Sequence, residues 1–292
     1  MFTSQNFTNG ESISLSKEIA LIGAESTPLT TLLMGGGKVE QATSTVHSWR
    51  EKTLDATADI SVPEGSETEV FTKSQRKELS NVMEIFKKAT ALSGTAQAMN
   101  NVQFTEEIAD RLVELKMNME AKLINGVFKD GSASPFVRQM KGLIPFVETK
   151  NKLTFADTDP ADDIVKGLAR TLWNNKLVGG KYIALVNADL KEKIDKVYES
   201  NSRYIQPTNQ YGVVANTILT NYGNVDLVLS QHVPSDQVVM FNDNYLKLAF
   251  LRQPTFEPLA KTGDNVKGHV LTEATLKVAS PSAVALATVT TV

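Results

Sequence analysis

The 292-residue sequence contains no cysteine. That single absence removes disulfides, thiolate nucleophiles and Cys-ligated zinc together. Histidine is almost as scarce: His47, His232 and His269 lie far apart and in no metal-ligand spacing. An excess of charge of one sign is missing too, since 30 Lys and Arg stand against 33 Asp and Glu, a net charge of −3. Such a balance leaves no basic footprint for sequence-independent binding of nucleic acid. No apolar run approaches the ~18 to 20 residues that a membrane helix needs. The opening residues, MFTSQNFTNGES, lack the basic and apolar regions of a secretory leader. The expectation is a soluble protein made inside the cell, with no membrane partner.

What is present is ordinary for a globular chain, with 41% hydrophobic and 22% charged residues. The length allows two domains, or one domain with large excursions. One stretch invites a phosphate-binding reading: LLMGGGKVEQA, residues 32–42. A Walker-type loop needs a glycine five positions before Gly37 and a hydroxyl residue after Lys38. Leu32 and Val39 occupy those places. The dinucleotide fingerprint fails as well, because Glu40 and Gln41 stand where glycine or alanine is required. The three glycines are therefore expected to form a hinge.

Along the chain, residues 1–44 are polar and rich in Ser and Thr, with one apolar patch, IALIGAESTPLTTLL, too small to form a core alone. A strand is predicted around VHSWREKTL, with Val46 and Trp49 as its large apolar members. Residues 55–70, DATADISVPEGSETEV, hold five carboxylates (Asp55, Asp59, Glu64, Glu67 and Glu69), no base, and a Pro-Glu-Gly-Ser turn signal. They look like the tip of a long projecting hairpin. The return limb reads two ways. Leu79, Val82 or Met83, Phe86 and Ala89 follow a helical period, while Val82, Ile85 and Phe86 lie in a half-buried run that suits a strand; periodicity slightly favours helix.

The clearest element is a long helix over 105–127, with Thr105 as N-cap and Ile108, Leu112, Leu115, Met119 and Leu123 on one face. A second helix is predicted after Asp159 as cap and Pro160 as first residue, ending at Gly179-Gly180. The cluster Asp157, Asp159, Asp162 and Asp163 departs from the calcium-loop order, with Ala161 where a ligand belongs; capping explains it without a metal. Downstream come KYIALVN, a short helix ADLKEKIDKVYES, and the strands GNVDLVLSQ, DQVVMFN, YLKLAFLRQ and GHVLTEATLKVAS. Helices and strands occur in segregated runs, so the class is α+β.

No catalytic constellation emerges. There is no G-x-S-x-G elbow and no H-E-x-x-H. Tyr204, Tyr211 and Tyr222, near Arg203, suit core or interface anchoring better than a stacking platform. No enzyme activity and no cofactor are expected.

The order of parts resembles the tailed-bacteriophage major capsid protein of the Hong Kong 97-type fold, and in particular its branch of short capsid proteins. The resemblance spans nearly the whole chain. It is carried by STPLTTLL (26–33), VHSWREKTL (46–54), ALSGT (91–95), RQMKGL (138–143), YGNVDLVLSQHVP (222–234) and LAKTGDNVKGHVLTEATLKV (259–278). It implies an N-arm at 1–44, an extended β-hairpin E-loop at 45–97 and a P-domain with its spine helix at 98–155. An A-domain at 156–239 and returning P-domain strands at 240–292 complete the division. It also implies strand, not helix, for the limb around 71–92, and a hinge at Gly35–Gly37 between arm and E-loop.

The implied role is self-assembly into hexamers and pentamers of an icosahedral head shell around double-stranded DNA, which is enclosed without specific binding. Scaffolding, portal and decoration proteins would be the other partners, and the virion capsid, assembled in the host cytoplasm, the location. The arm and E-loop cannot order themselves unaided, because fixing each backbone residue costs roughly 1–2 kcal/mol. Identical neighbours are the natural cover. Candidate interface residues are Phe2, Phe7, Ile19, Leu21, Leu29, Leu32 and Leu33 on the arm, and Trp49, Leu54, Val70 and Phe71 on the loop. Glu64, Glu67 and Glu69 join them as an acidic tip suited to a neighbour's basic surface. Two rival readings remain: an encapsulin-type nanocompartment shell, and a metal-dependent enzyme using the Asp157–Asp163 cluster.

Overall fold

A computed structural model describes residues 27–54, 61–67, 71, 73–98, 104–177, 179–201 and 217–290. The candidates Phe2, Phe7, Ile19, Leu21, Glu69 and Val70, and the trio Arg203, Tyr204 and Tyr211, lie outside the described residues.

Three sheets organise the described chain. A hairpin of β2 (Val46–Thr53) and β3 (Gln75–Val82) stands as a two-stranded antiparallel ribbon. A four-stranded sheet has the order β1 (Val39–Gln41), β10 (Leu246–Pro258), β11 (Asn265–Val278), β4 (Glu84–Ser93), with β1 parallel to β10 and the other pairs antiparallel. The six-stranded mixed sheet runs β5 (Lys152–Ala156), β12 (Val284–Thr290), β9 (Gln237–Asn242), β6 (Tyr182–Val186), β8 (Gly223–Leu229), β7 (Thr217–Thr220). The helices are α1 (Pro28–Gly35), α2 (Gly94–Ala98), α3 (Phe104–Asn125), α4 (Leu143–Phe146), α5 (Ala161–Asn174) and α6 (Ala188–Asn201).

Side-chain alternation on the six-stranded sheet explains why its central strands are apolar without a break. Ile183, Leu185, Val239, Phe241, Val284 and Leu286 point into one core, which they share with α1, α3, the hairpin root and the four-stranded sheet. Their neighbours Ala184, Val186, Val238, Met240, Ala285 and Ala287 point into a second core under α5 and α6. A strand covered on both faces has no polar side, so YIALV and QVVMFN show no period of two.

The long helix α3 carries the expected stripe, and Ile108, Leu112, Leu115, Met119 and Leu123 are all buried. Its 22 residues span about 33 Å. It begins at Phe104, so Thr105 sits inside the first turn and is not its cap. Asp159 does not cap α5 either. Its Oδ2 accepts from the Ala156 amide at 2.8 Å, while Asp162 and Asp163 supply the negative charge of the first helical turn. That helix also stops well before Gly179-Gly180: Asn175 follows its last residue, and Lys176, at φ 54°, turns the chain away. Asn175 donates to Asn151 Oδ1 at 3.1 Å and to the Ser282 carbonyl at 2.8 Å, which fixes the stop.

The helical period around 79–89 is overturned. Residues 75–93 form β3 and β4, paired in continuous register with β2 and β11. Between them lies a kink at Met83, where Asn81, Val82, Met83 and Glu84 are buried consecutively. A strand that changes face at a kink displaces its buried residues by an odd number, and here the displacement mimics a helical spacing. The resemblance, which implied strand, was the better guide.

Candidate functional site

The surfaces available for assembly are set by how the arm and the hairpin are fastened. Helix α1 starts at Pro28, whose missing N–H costs nothing at a helix start. Leu29 and Leu33 are 0% exposed and pack in the core shared with α3. The helix has no capping side chain of its own. Glu120 of α3, also 0% exposed, serves instead: its carboxylate accepts from the Leu29 amide at 2.9 Å, the Thr30 amide at 2.7 Å and the Thr30 hydroxyl at 2.5 Å. A buried carboxylate at a helix N-terminus answers both the orphan amides and the positive dipole end. One turn earlier, the buried Lys116 Nζ lies 3.1 Å from Thr31 Oγ1. Burial pushes the Glu120 carboxyl above its ordinary value, while its bonds to Thr30 and Leu29 pull the other way. Burial also depresses Lys116, opposed by the charge of Glu120.

Gly35 is still the last residue of α1, and the chain turns at Gly36 and Gly37. Gly36 donates to the Leu32 carbonyl at 2.9 Å, and Gly37 takes φ 66°, a conformation glycine adopts freely. Lys38 meets no phosphate. Its Nζ donates to Asp243 Oδ2 at 2.6 Å and to the Asp243 carbonyl at 2.5 Å, which pins the start of β1 beside β10. Burial raises the Asp243 carboxyl, but Lys38 and the Lys181 amide together hold it below the ordinary carboxylate range.

The hairpin root is fastened just as firmly. Glu40 on β1 meets His47 Nε2 at 2.6 Å and Lys277 Nζ at 2.8 Å, so one carboxylate joins the arm, the hairpin and a return strand. Burial would raise Glu40; Lys277 and His47 outweigh it and hold it low. Asn81, 0% exposed, uses both ends of its amide. It donates to the Lys141 and Leu276 carbonyls at 3.0 and 2.8 Å, and accepts from the Lys141 and Val82 amides. A buried amide with all its bonds made specifies a single docking geometry. Trp49 is buried against Phe146, their ring centroids 6.4 Å apart.

The structure thus divides the predicted interface residues. Leu29, Leu33 and Trp49 spend their apolar surface inside their own subunit, and Leu32 is half-buried against the same core. Within one chain these four are fasteners of the arm and the hairpin. Leu54 and Phe71, 69% and 83% exposed, flank the hairpin tip, and Glu64 and Glu67 on the tip are exposed. A second exposed apolar group, which the sequence reading missed, comprises Val127, Phe128, Phe136 and Val137 around the Lys129–Gln139 bridge. The clamp formed by Glu120 was missed as well. Its signal was the row Lys116, Glu120 and Ile124 beside Leu115, Met119 and Leu123, which widens the buried stripe in the C-terminal half of α3.

Of the four aspartates near α5, Asp157 pairs with Lys193 and Asp159 takes the Ala156 amide, while Asp162 and Asp163 both pair with Lys166, at 2.5 and 4.0 Å. A shallow cleft of about 290 Å³ beside them is lined by residues that include Lys166, Arg170 and Tyr222.

A fastened arm, a long hairpin, a long helix and two sheets sharing a core define a class, the proteins of the Hong Kong 97-type fold. Solved structures share the architecture. The capsid of cyanophage P-SCSP1u matches at 12% identity and a TM-score of 0.60, over 87% of this chain and 86% of that one. Mycobacterium phage Che8 matches at 14% identity and 0.56, over 84% and 85%. The SrpI encapsulin of Synechococcus elongatus PCC 7942 matches at 11% identity and 0.59, over 90% and 86%. At such identities the likeness is one of fold. No curated protein matches the sequence significantly. Family membership comes from the sequence itself: residues 2–291 match the SU10 major capsid protein, and the chain belongs to that family. It is a major capsid protein of a tailed phage, a structural component of the virion shell.

Proposed function

We propose that the chain assembles with copies of itself into hexamers and pentamers that close an icosahedral head around double-stranded DNA. The observation that carries this reading is the contrast along the hairpin. Its root is locked by Glu40, Asn81 and Trp49, while Leu54 and Phe71 at its far end are left in solvent. Exposed large apolar side chains on a rigidly held projection suit a contact with a neighbour. In this reading residues 1–44 are the N-arm, 45–97 the E-loop, 98–155 and 240–292 the P-domain, and 156–239 the A-domain. Of the interface candidates, Leu54, Phe71, Glu64 and Glu67 face the next subunit, joined by Phe136 and Val137. Scaffolding, portal and decoration proteins complete the partners. The chain has a structural role without catalysis or cofactor, and its DNA is contained without being gripped.

An encapsulin-type compartment shares the fold; membership of a phage capsid family favours the head shell. Negative-stain imaging of the purified protein tests the reading directly. Closed particles are expected, and deletion of residues 1–37 or 56–69 should leave soluble protein that builds none. Normal particles from either deletion, or a strictly monomeric wild type even with its scaffold partner, would refute it.

A further inference from the structure

The hairpin is electrically lopsided. Its two limbs, residues 46–54 and 71–82, carry five basic residues, Arg50, Lys52, Lys73, Arg76 and Lys77, against Glu51 and Glu78. The intervening tip, 55–70, carries five carboxylates and no base. The register of the ribbon concentrates the positive charge. Lys52 stands directly opposite Arg76, and Arg50 opposite Glu78. All four are exposed, on the face turned away from Trp49 and Asn81. Like charges directly across a two-stranded sheet oppose its pairing. Among the described residues neither Lys52 nor Arg76 has an ion-pair partner, and the same holds for Arg50, Lys73 and Lys77. At the base of the ribbon the excess is reinforced. The ammonium of Lys141 is depressed first by burial, then by the nearby charges of Lys152 and Lys77.

We infer that the outward face of the stalk, centred on Lys52 and Arg76, is the docking surface for the acidic hairpin tip of a second copy of this chain. The inference rests on the self-assembly proposed above and names the surface that the tip engages. Charge complementarity selects the occupant: the tip is a sixteen-residue segment of the same protein with five carboxylates and no base. Each hairpin then offers one donor end and one acceptor face. Such a contact is heterologous, so it propagates from copy to copy and closes into rings where the rotation permits. The eight residues of β2 extend about 26 Å, which separates tip from root and lets one hairpin overlie the next.

Charge reversal in two places tests this. The tip variant carries Glu64→Lys, Glu67→Lys and Glu69→Lys; the stalk variant carries Lys52→Glu and Arg76→Glu. Under conditions where the wild type forms particles, each variant alone should need on the order of tenfold more protein to assemble, because like charges then meet at every contact. Their thermal unfolding should stay close to that of the wild type, since the four described positions, Lys52, Glu64, Glu67 and Arg76, are exposed. Mixed in equal amounts, the two variants should co-assemble at a lower threshold than either alone, because opposite signs meet wherever the two alternate, fully in a ring of six and at four of five contacts in a ring of five. A chain carrying all five reversals should assemble by itself. Assembly of either variant alone at the wild-type threshold would overturn the inference. So would rescue within the five-fold variant without rescue in the mixture, because that pattern means tip and stalk neutralise each other inside one chain. A wild type that forms no particles at all would instead refute the self-assembly reading beneath it.

Discussion

Glu120→Ala is the sharpest probe of how the arm is held. In the folded chain the Glu120 carboxylate accepts three hydrogen bonds, from the Leu29 and Thr30 amides and the Thr30 hydroxyl, at a place with no access to water. Alanine leaves three buried donors without an acceptor, at about 1–3 kcal/mol each, and a lysine deprived of a nearby counter-charge. Removing one member of a buried charged network generally costs ~3–5 kcal/mol. Undocking of α1 sets a ceiling, because once the helix leaves, water satisfies its amides. The loss is then the docking energy of Leu29 and Leu33, about 1.5–3 kcal/mol for each fully buried side chain. Both routes give a few kcal/mol, with the arm released and the rest of the core intact. At roughly 2 °C per kcal/mol for a chain of this size, melting should fall by about 6 °C. Limited proteolysis should show new cleavage between residues 27 and 37, while α3 and the sheets stay protected. Glu120→Gln, which keeps one acceptor oxygen, should fall between the two. An alanine variant with wild-type melting and an uncut arm would refute the clamp.

Acidification should act in a definite order. Glu40 and Asp243 are held below the ordinary carboxylate range, so the stability they lend is present above that range and is lost as pH falls through their lowered values. Glu84 and Glu120 are shifted the other way, so their contribution is complete below the ordinary range and declines as pH rises through their raised values. Protection of the Val39–Gln41 amides, corrected for the intrinsic exchange rate, should therefore persist through the ordinary carboxylate range and fail only below it; loss of protection already near neutral pH would contradict this. Gly142→Ala should prevent normal folding or cost several kcal/mol. A Cβ there would stand 2.5 Å from the Gly126 amide nitrogen and 2.8 Å from the Ile124 and Lys122 carbonyls, all of them backbone atoms. A melting temperature within about 2 °C of wild type would refute that close approach. Free subunits should show no salt-sensitive retention on immobilised DNA near 0.15 M salt; a steep loss of tight binding on adding salt would reveal a phosphate-binding stripe.

The sequence revealed most where one face alone is buried. The α3 stripe is such a case, and the resemblance motifs, read in order, led to the right fold. It misled where tertiary structure overrides spacing. The kink at Met83 turned a strand into an apparent helical period, and a stop at Asn175 set by contacts to Asn151 and Ser282 was invisible from local signals. β5 was missed because its pairing partner, β12, lies more than a hundred residues downstream. The arm's docking escaped notice for a related reason. Its capping group is Glu120, some ninety residues downstream, whereas helix-start rules look only next door. Charge was informative only in combination. The acidic tip stood out in the linear sequence, but the basic stalk emerged only when the hairpin register set Lys52 against Arg76.

The pairing of β1 with β10 carries a consequence for timing. Val39–Gln41 finds its partners at Leu248–Phe250, and Glu40 reaches Lys277. On a ribosome, synthesising roughly 5–20 residues per second, the arm and hairpin therefore wait ten seconds or more for the strands that seat them. A truncated or stalled chain lacks β10 and β11 and so cannot hold its projection in the geometry a neighbour would recognise. In the self-assembly proposed above, completion of the polypeptide then becomes a condition for joining the shell, which screens out defective copies.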